Sequence, residues 1–121
     1  MTSIFHRIRP AQKFNFNARH IAHILKIRHL FIVKIERWAY VLFVHRSDKG
    51  GQFVSYRQLN RWVTAIAHMI QLSPSLEDLR QIGQGLHQES VQFEHRYSES
   101  TLDYLRQLWA ERRDWLRSSL E

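Results

Sequence analysis

The spacing of apolar residues changes near Arg57, and this change constrains the fold more than any other feature of the sequence. Before it, apolar and polar side chains alternate through residues 38–57 around a glycine-containing tip, which is typical of two strands joined as a hairpin. After it, apolar residues recur every three or four positions, at Leu59, Trp62, Val63, Ile66 and Ile70. The sequence therefore predicts an α+β fold, with a small antiparallel sheet and a central hairpin at about 38–57, followed by three C-terminal helices.

Local signals place the ends of these helices, which we expect at about 58–71, 75–95 and 99–119. Ser75 followed by Asp78 gives a start like that of a capping box, because the serine hydroxyl can accept a hydrogen bond from a backbone N–H in the first turn. Ser98 or Ser100 can cap the last helix in the same way. The second half of the chain is thus predicted to contain three separate helices.

The segment before the hairpin has two interpretations. Residues 18–28 follow Asn17, a favourable N-cap, and are predicted as a helix. Beyond them, β-branched and aromatic residues favour strands at about 30–35 and 38–46, which is the interpretation we prefer. The alternative is one long helix from 18 to 44, with an apolar stripe of Ile24, Phe31, Ile35, Trp38 and Leu42.

Two short stretches near the N-terminus also show alternation. Residues 3–9 and 13–16 carry Ile or Phe at spaced positions, and Pro10 separates the two stretches. This pattern predicts edge strands or an extended arm.

The tip of the hairpin, Asp48-Lys49-Gly50-Gly51, raises the question of an anion site. Its backbone amides and Lys49 could hold a phosphate. However, the spacing of a P-loop is absent, and Asp, Lys and Gly are ordinary constituents of tight turns. We therefore interpret the tip as a turn, and at most as a charged lip on a larger surface.

The pairing of the hairpin decides which side chains face the core. With residue 47 opposite residue 52, the predicted core face comprises Ala39, Val41, Phe43, His45, Val54 and Tyr56. The other face then mixes aromatic with basic side chains, as expected of a surface that stacks bases while cations contact phosphates. The alternative is that this second face packs beneath helices and the basic residues only surround it.

Charge is unevenly distributed along the chain, whose formal net charge is +7. Residues 1–57 contain 11 Lys and Arg but only two acids, Glu36 and Asp48, which gives +9, whereas residues 58–121 carry −2. We expect a basic, β-rich part at 1–57 and a helical part at 58–121 packed on it, in a single compact domain. A basic half of this size favours DNA or RNA, or an acidic protein, as the partner.

The leading prediction is a non-catalytic, nucleic-acid-associated binding or regulatory protein. Its candidate contacts combine the cations and aromatic rings of the basic half: Arg37, Trp38, Tyr40, Arg46, Lys49 and Arg57, with Arg19, Lys26 and Arg28 as a second group. The alternative is a protein-interaction adaptor or assembly factor without nucleic acid, in which the basic half docks on an acidic protein.

The last predicted helix offers a second contact surface. Its apolar residues Leu102, Trp109 and Leu116 recur every seven positions, but Arg112 interrupts the repeat, which argues against a long coiled coil. A wide apolar stripe still leaves room for a homodimer or another partner. The predicted anchors are Trp109, Trp115 and Leu116.

Several classes of site are disfavoured by the composition. The chain has no cysteine, so disulfides and thiolate chemistry are excluded. His20 and His23 have helical spacing but no nearby carboxylate, so we predict no metal site and no cofactor. Only two acids occur in the basic half, which disfavours a catalytic carboxylate pair, and we predict that the protein is not an enzyme.

Targeting and membrane signals are equally weak. The first residues lack the sustained apolar core of a signal peptide. The most apolar stretch, from Leu30 to Val44, contains Lys34, Glu36 and Arg37 and is too short to span a bilayer. We therefore expect a cytoplasmic protein that does not bind membranes.

Overall fold

A computed structural model describes residues 3–119 and shows an α+β fold, with a three-stranded antiparallel sheet followed by long helices, as predicted. The helices are α1 Ile4–Ile8, α2 Pro10–Lys13, α3 Ala18–Leu25, α4 Asn60–Gln71, α5 Leu76–Gln92 and α6 Glu99–Ser119. The strands are β1 Ile32–Arg37, β2 Val41–Arg46 and β3 Gly50–Ser55, and short 3₁₀ turns occupy His29–Phe31, Tyr56–Gln58 and Glu94–Arg96.

The chain divides into two units whose boundaries follow Ile8 and Trp62. Residues 9–62, here called the basic unit, contain the whole sheet, and their eleven Lys and Arg against two acids give a net charge of +9. Residues 3–8 and 63–119, here called the helical unit, contain α1, α5, α6 and most of α4. The division of one domain at residue 57 stays a prediction.

The strand or extended arm predicted at residues 3–9 is wrong, because Ile4–Ile8 form the helix α1. At residues 13–16 the predicted strand is also wrong, because Lys13 ends α2 and residues 14–16 join no sheet, although Phe14 has an extended backbone. Ile4, Phe5 and Ile8 have the spacing of one helix face, and all three are buried. Ile4 packs against α5 at Gly85, where an added Cβ would lie 3.1 Å from the Ile4 Cδ1 atom. Glycine at this position therefore lets α1 approach α5 closely.

The long helix from 18 to 44 is also wrong, and the preferred interpretation of a helix followed by strands is confirmed. The Asn17 side chain accepts a hydrogen bond from the His20 N–H at 3.0 Å and caps α3, as expected. Lys26 adopts a left-handed conformation, with φ of 58°, and ends the helix after Leu25. The β-branched residues that follow then pair in the sheet rather than continuing the helix.

The register of the sheet differs from the predicted one. In the antiparallel order β1-β2-β3, Leu42 lies opposite Val54 and Phe43 opposite Phe53. Arg46 lies opposite Gly50, so the turn contains only residues 47–49. Gly50 has φ of 80°, the left-handed conformation that commonly closes a three-residue hairpin turn.

This shorter turn makes the predicted core face wrong within β2. Leu42 and Val44 are fully buried, whereas Phe43 and His45 are only half-buried, because an odd shift in register exchanges the two faces of one strand. Val41 is also half-buried and Ala39 is exposed. Of the predicted core face, only Val54 and Tyr56 are buried.

The helical unit follows the predicted pattern more closely. Ser75 accepts a hydrogen bond from the Asp78 N–H and caps α5, and Ser98 accepts one from the Thr101 N–H at the start of α6. α5 contacts α6, and the indole N–H of Trp109 donates to the Leu79 carbonyl at 2.8 Å. The largest fully buried side chains of this unit are apolar, and they include Ile66, Ile70, Leu79, Ile82 and Leu105.

The register predicts that replacing two valines of the sheet by alanine has very different effects on the free energy of unfolding. Val44 is fully buried, so Val44→Ala should lower the free energy of unfolding by about 2 kcal/mol through lost burial and the cavity left behind. Val33 is 69% exposed, so the matched control Val33→Ala should change it by less than about 0.5 kcal/mol. Equal losses in urea titrations of the two variants would contradict the register.

Candidate nucleic-acid interface

Four rings pack together on the side of the sheet that faces away from Leu42 and Val44. This outer sheet face comprises Lys34, Glu36, Val41, Phe43, His45, Gly51, Phe53 and Ser55. Trp38, which follows β1, stacks on Phe43 with ring centroids 5.2 Å apart and planes 10° apart. Phe53 and His45 contact Phe43 edge to face, at 5.0 and 4.8 Å. We call Trp38, Phe43, His45 and Phe53 the aromatic cluster.

The outer members of this group reach solvent. Phe53 is 57% exposed and Trp38 45% exposed, and Tyr40 in the connection between β1 and β2 is 63% exposed. Single exposed apolar residues are common on protein surfaces, but contiguous exposed apolar groups mark interaction sites. The aromatic cluster is therefore the strongest candidate for a binding surface in the basic unit.

The missing side chain of Gly51 makes room for the centre of the cluster. An added Cβ at Gly51 would lie only 2.2 Å from the Cζ atom of Phe43, so the Phe43 ring covers the glycine. The ring cannot swing away freely because Trp38 and Phe53 contact it. The position of Phe43, and through it that of the two exposed rings, thus depends on glycine in β3.

Trp38 is held at its backbone and at its side chain. The buried hydroxyl of Tyr56 donates a hydrogen bond to the Trp38 carbonyl at 2.7 Å. Glu36 is hydrogen-bonded to the His45 ring, and this hydrogen bond is the main cause that holds the pKa of Glu36 below its ordinary value. A hydrogen bond from the Trp38 side chain lowers the same pKa further. These contacts fix the orientation of the Trp38 ring.

The tip of the hairpin is a turn, and its acidic residue, Asp48, is paired with Arg46. Arg46 donates to both carboxylate oxygens of Asp48, at 3.0 and 2.7 Å, and to the Gln52 side chain at 2.6 Å. The bidentate contact with Arg46 lowers the pKa of Asp48. The Arg46 side chain is only 7% exposed, so its guanidinium belongs to the core side of the hairpin. Lys49 is exposed at the tip.

Two other predicted contact residues have partners inside the basic unit. Arg37 donates to the carbonyls of Ala11 and Phe14, and its guanidinium lies 4.2 Å from the centre of the Phe16 ring. Arg57 is half-buried, with its guanidinium 5.2 Å from the Trp62 ring. The structure therefore places Arg37, Arg46 and Arg57 in contacts that stabilise the unit.

The second predicted group remains at the surface. Arg19 lies on the exposed side of α3, and Lys26 and Arg28 are exposed just after it. Within residues 3–119, no carboxylate lies within 4.0 Å of these three side chains. Their charges are therefore available to a polyanion.

The sequence interpretation missed Lys34, Phe43 and His45 as surface residues. Lys34 is exposed and lies opposite His45, on the same face as the aromatic cluster. A turn of three residues closed by Gly50 would have placed Phe43 and His45 there, but turns of three and four residues fit the same tip. Lys34 depends instead on the pairing of β1 with β2, which no turn in the sequence specifies.

The three residues predicted as partner anchors on α6 differ in their exposure to solvent. Leu116 is buried, and Trp109 is half-buried with its N–H bound to Leu79. Trp115 is 56% exposed, and the guanidinium of Arg112 lies 4.2 Å from its ring centre. Trp115 is thus the anchor whose ring is open to another molecule.

Two features are absent from residues 3–119. No group of three His, Asp or Glu side chains in this part of the chain is arranged to hold a metal ion. No helix among these residues combines the length and the apolar character needed to cross a bilayer.

Comparison with protein-family models, curated proteins and solved structures finds no match to this chain. The fold and the surface therefore define its class directly. It is an α+β protein in which a strongly basic unit presents exposed aromatic rings on one face of a three-stranded antiparallel sheet.

Gly51→Ala tests how the cluster is built. The added methyl group would collide with the Phe43 ring, so the free energy of unfolding should fall by about 1–3 kcal/mol, and the near-ultraviolet circular dichroism of the rings should change. Phe43→Leu should suppress this cost in the double variant, because the colliding atoms are then absent. A double-mutant cycle without coupling between positions 43 and 51 would argue against this packing.

Glu36→Gln tests the hydrogen bond between Glu36 and His45 of the aromatic cluster. The pKa of Glu36 is lower in the folded protein than its ordinary value of 4.5, so its ionised form stabilises the fold above that pH. This contribution disappears as pH falls through the lowered pKa. The melting temperature of Glu36→Gln should therefore be below that of the native chain at pH 7, and the two should converge at low pH.

The matched control is Glu94→Gln, an exposed glutamate of the helical unit, which corrects for removing one carboxylate from a basic chain. A difference at Glu36→Gln that persisted unchanged into strong acid would show that the loss is not electrostatic.

Proposed function

We propose that the basic unit binds single-stranded nucleic acid without catalysis. Bases stack on the exposed rings of Trp38, Phe53 and Tyr40, and surrounding cations contact the phosphates. The observation that carries this proposal is the exposure of these rings on a unit with a net charge of +9. Aromatic side chains combined with a positive surface are the usual means of binding unpaired strands.

The charges of the unit support a polyanionic partner. Its two acids, Glu36 and Asp48, contact His45 and Arg46 and stand against eleven Lys and Arg, so most of the positive charge is not balanced within the unit. Lys34 lies on the outer sheet face and Lys49 at the hairpin tip, and both are exposed. Attraction to phosphates and release of counterions would supply affinity that weakens as salt rises.

The aromatic rings favour single strands over duplexes. The faces of bases are covered by their neighbours in a duplex, whereas an unpaired base can leave its stack and lie on a protein ring. The rigid support of Trp38 and Phe43 matters here, because a ring that is already ordered loses less entropy on binding. We therefore assign affinity to the cations and the preference for unpaired strands to the rings.

Trp38→Ala should weaken binding of a fluorescent single-stranded oligonucleotide about 5- to 150-fold in anisotropy titrations, which corresponds to the loss of one stacked base. Phe53→Ala should have a similar effect. Trp115→Ala is the matched control, because it removes a tryptophan of similar exposure from the helical unit, and it should bind like the native chain. Equal losses for Trp38→Ala and Trp115→Ala would contradict the proposal.

Salt separates this proposal from the adaptor alternative. Native affinity should fall steeply with salt, and replacing Lys34 and Lys49 together by Gln should reduce the slope while Trp38→Ala leaves it unchanged. If neither DNA nor RNA binds at low salt and one acidic protein co-purifies with the chain, the adaptor function replaces nucleic-acid binding. Exposed Trp115 is then the first residue to test for that contact.

A further inference from the structure

A groove of about 790 Å³ lies between α5 and α6 in the helical unit, and nucleic-acid binding by the basic unit does not use it. Its size is in the range of small-molecule sites, roughly 300–1,000 Å³. Leu86 of α5 contributes apolar surface on one side. Leu102, Leu105 and Trp109 contribute the other, since their spacing places them on one face of α6.

The Trp109 wall of this groove is fixed before any ligand binds. Its indole N–H donates to the Leu79 carbonyl at 2.8 Å, and an added Cβ at Gly83 would lie 3.0 Å from the same nitrogen. Glycine on α5 therefore allows the ring to rest against the helix backbone. A wall that is already ordered reduces the entropic cost of binding.

The charged side chains of the groove favour an anionic ligand. Its lining includes Arg80 from α5 and Arg106 from α6, together with His87, and contains no Asp or Glu. Arg80 donates to both carboxylate oxygens of Glu77, at 3.0 and 2.6 Å, and Arg106 lies 3.0 Å from Asp103 and 3.9 Å from Glu99. All of these side chains are exposed, and the three acids do not line the groove. Such exposed pairs contribute little, so both arginines can bind a ligand anion.

We propose that this groove binds a small amphipathic anion. Its aromatic or aliphatic body lies against Leu86, Leu102 and Trp109, and its carboxylate, sulfonate or phosphate group binds Arg80 and Arg106. The α6 wall spans residues 102–109, which is about 10 Å at 1.5 Å per residue. This length fits a small molecule better than a partner helix, and the site is independent of the proposed nucleic-acid surface.

Two probes that differ in one charged group test the proposal on the full chain. Anilinonaphthalene sulfonate carries an anion on its rings, and N-phenylnaphthylamine has the same rings without it. In fluorescence titrations the sulfonate should bind one saturable site at least about tenfold more tightly than the amine, because the arginines bind its anionic group. Equal affinity for the two probes, or no saturation, would overturn the proposal.

Replacing Arg80 and Arg106 together by Gln should abolish the preference for the sulfonate, since both side chains are exposed and the fold does not need their charge. The matched control replaces Arg96 and Arg117, which are also exposed cations of the helical unit but do not line the groove. This control should retain the native preference. A loss of equal size in both double variants would show a general charge effect and reject the site.

The position of the bound sulfonate is checked by amide and indole chemical shifts. The Trp109 indole N–H and the amides of residues 83–90 and 102–109 should change as the probe is added. Shifts centred on Trp38 and Phe53 instead would place the probe on the aromatic cluster and overturn the proposal.

Discussion

The register of the β2–β3 hairpin is the constraint on which the core of the basic unit and its candidate surface both depend. Gly50 in a left-handed conformation closes a turn of residues 47–49, and Arg46 then reaches the Asp48 carboxylate and the Gln52 side chain. A buried guanidinium is costly unless such partners satisfy it. A shift of one residue would expose Leu42 and its neighbours on β2 and bury the rings that now reach solvent. The contacts at the tip therefore also decide what the opposite face can bind.

Local signals in the sequence were sufficient for most of the fold. The change from alternation to helical spacing gave the α+β class, and Asn17, Ser75 and Ser98 cap their helices where hydrogen bonding in the first turn predicts. The N-terminal helices were missed because a stretch as short as Ile4–Ile8 fits both alternation and helical spacing. Its burial depends on packing against α5, which is distant in sequence. Contacts of that kind leave no local pattern to interpret.

The candidate site was less predictable, because charge in a sequence is not charge at a surface. Arg46 looked equivalent to Lys49 along the chain, yet it is buried beside Asp48. Arg37 is exposed, but its guanidinium is bound to the carbonyls of Ala11 and Phe14. Lys34 lies on the outer sheet face because β1 pairs with β2 in a register that places it opposite His45. The excess of positive charge in the basic unit does not depend on these contacts, because the unit contains eleven Lys and Arg and only two acids. The net charge of the basic unit therefore predicted its surface better than the individual basic residues did.

The aromatic cluster is difficult to explain by stability alone. An aromatic ring stabilises a fold mainly through its burial, but about half of the surface of Phe53 and of Trp38 is exposed. Nevertheless, these rings are held in place by contacts that involve Gly51, the Tyr56 hydroxyl and the Glu36 carboxylate. Such support is expected where a ring must offer its face to another flat group, since an ordered ring loses little freedom when that group arrives. The fixed positions of the exposed rings, more than their number, therefore support the proposal that bases stack on this sheet.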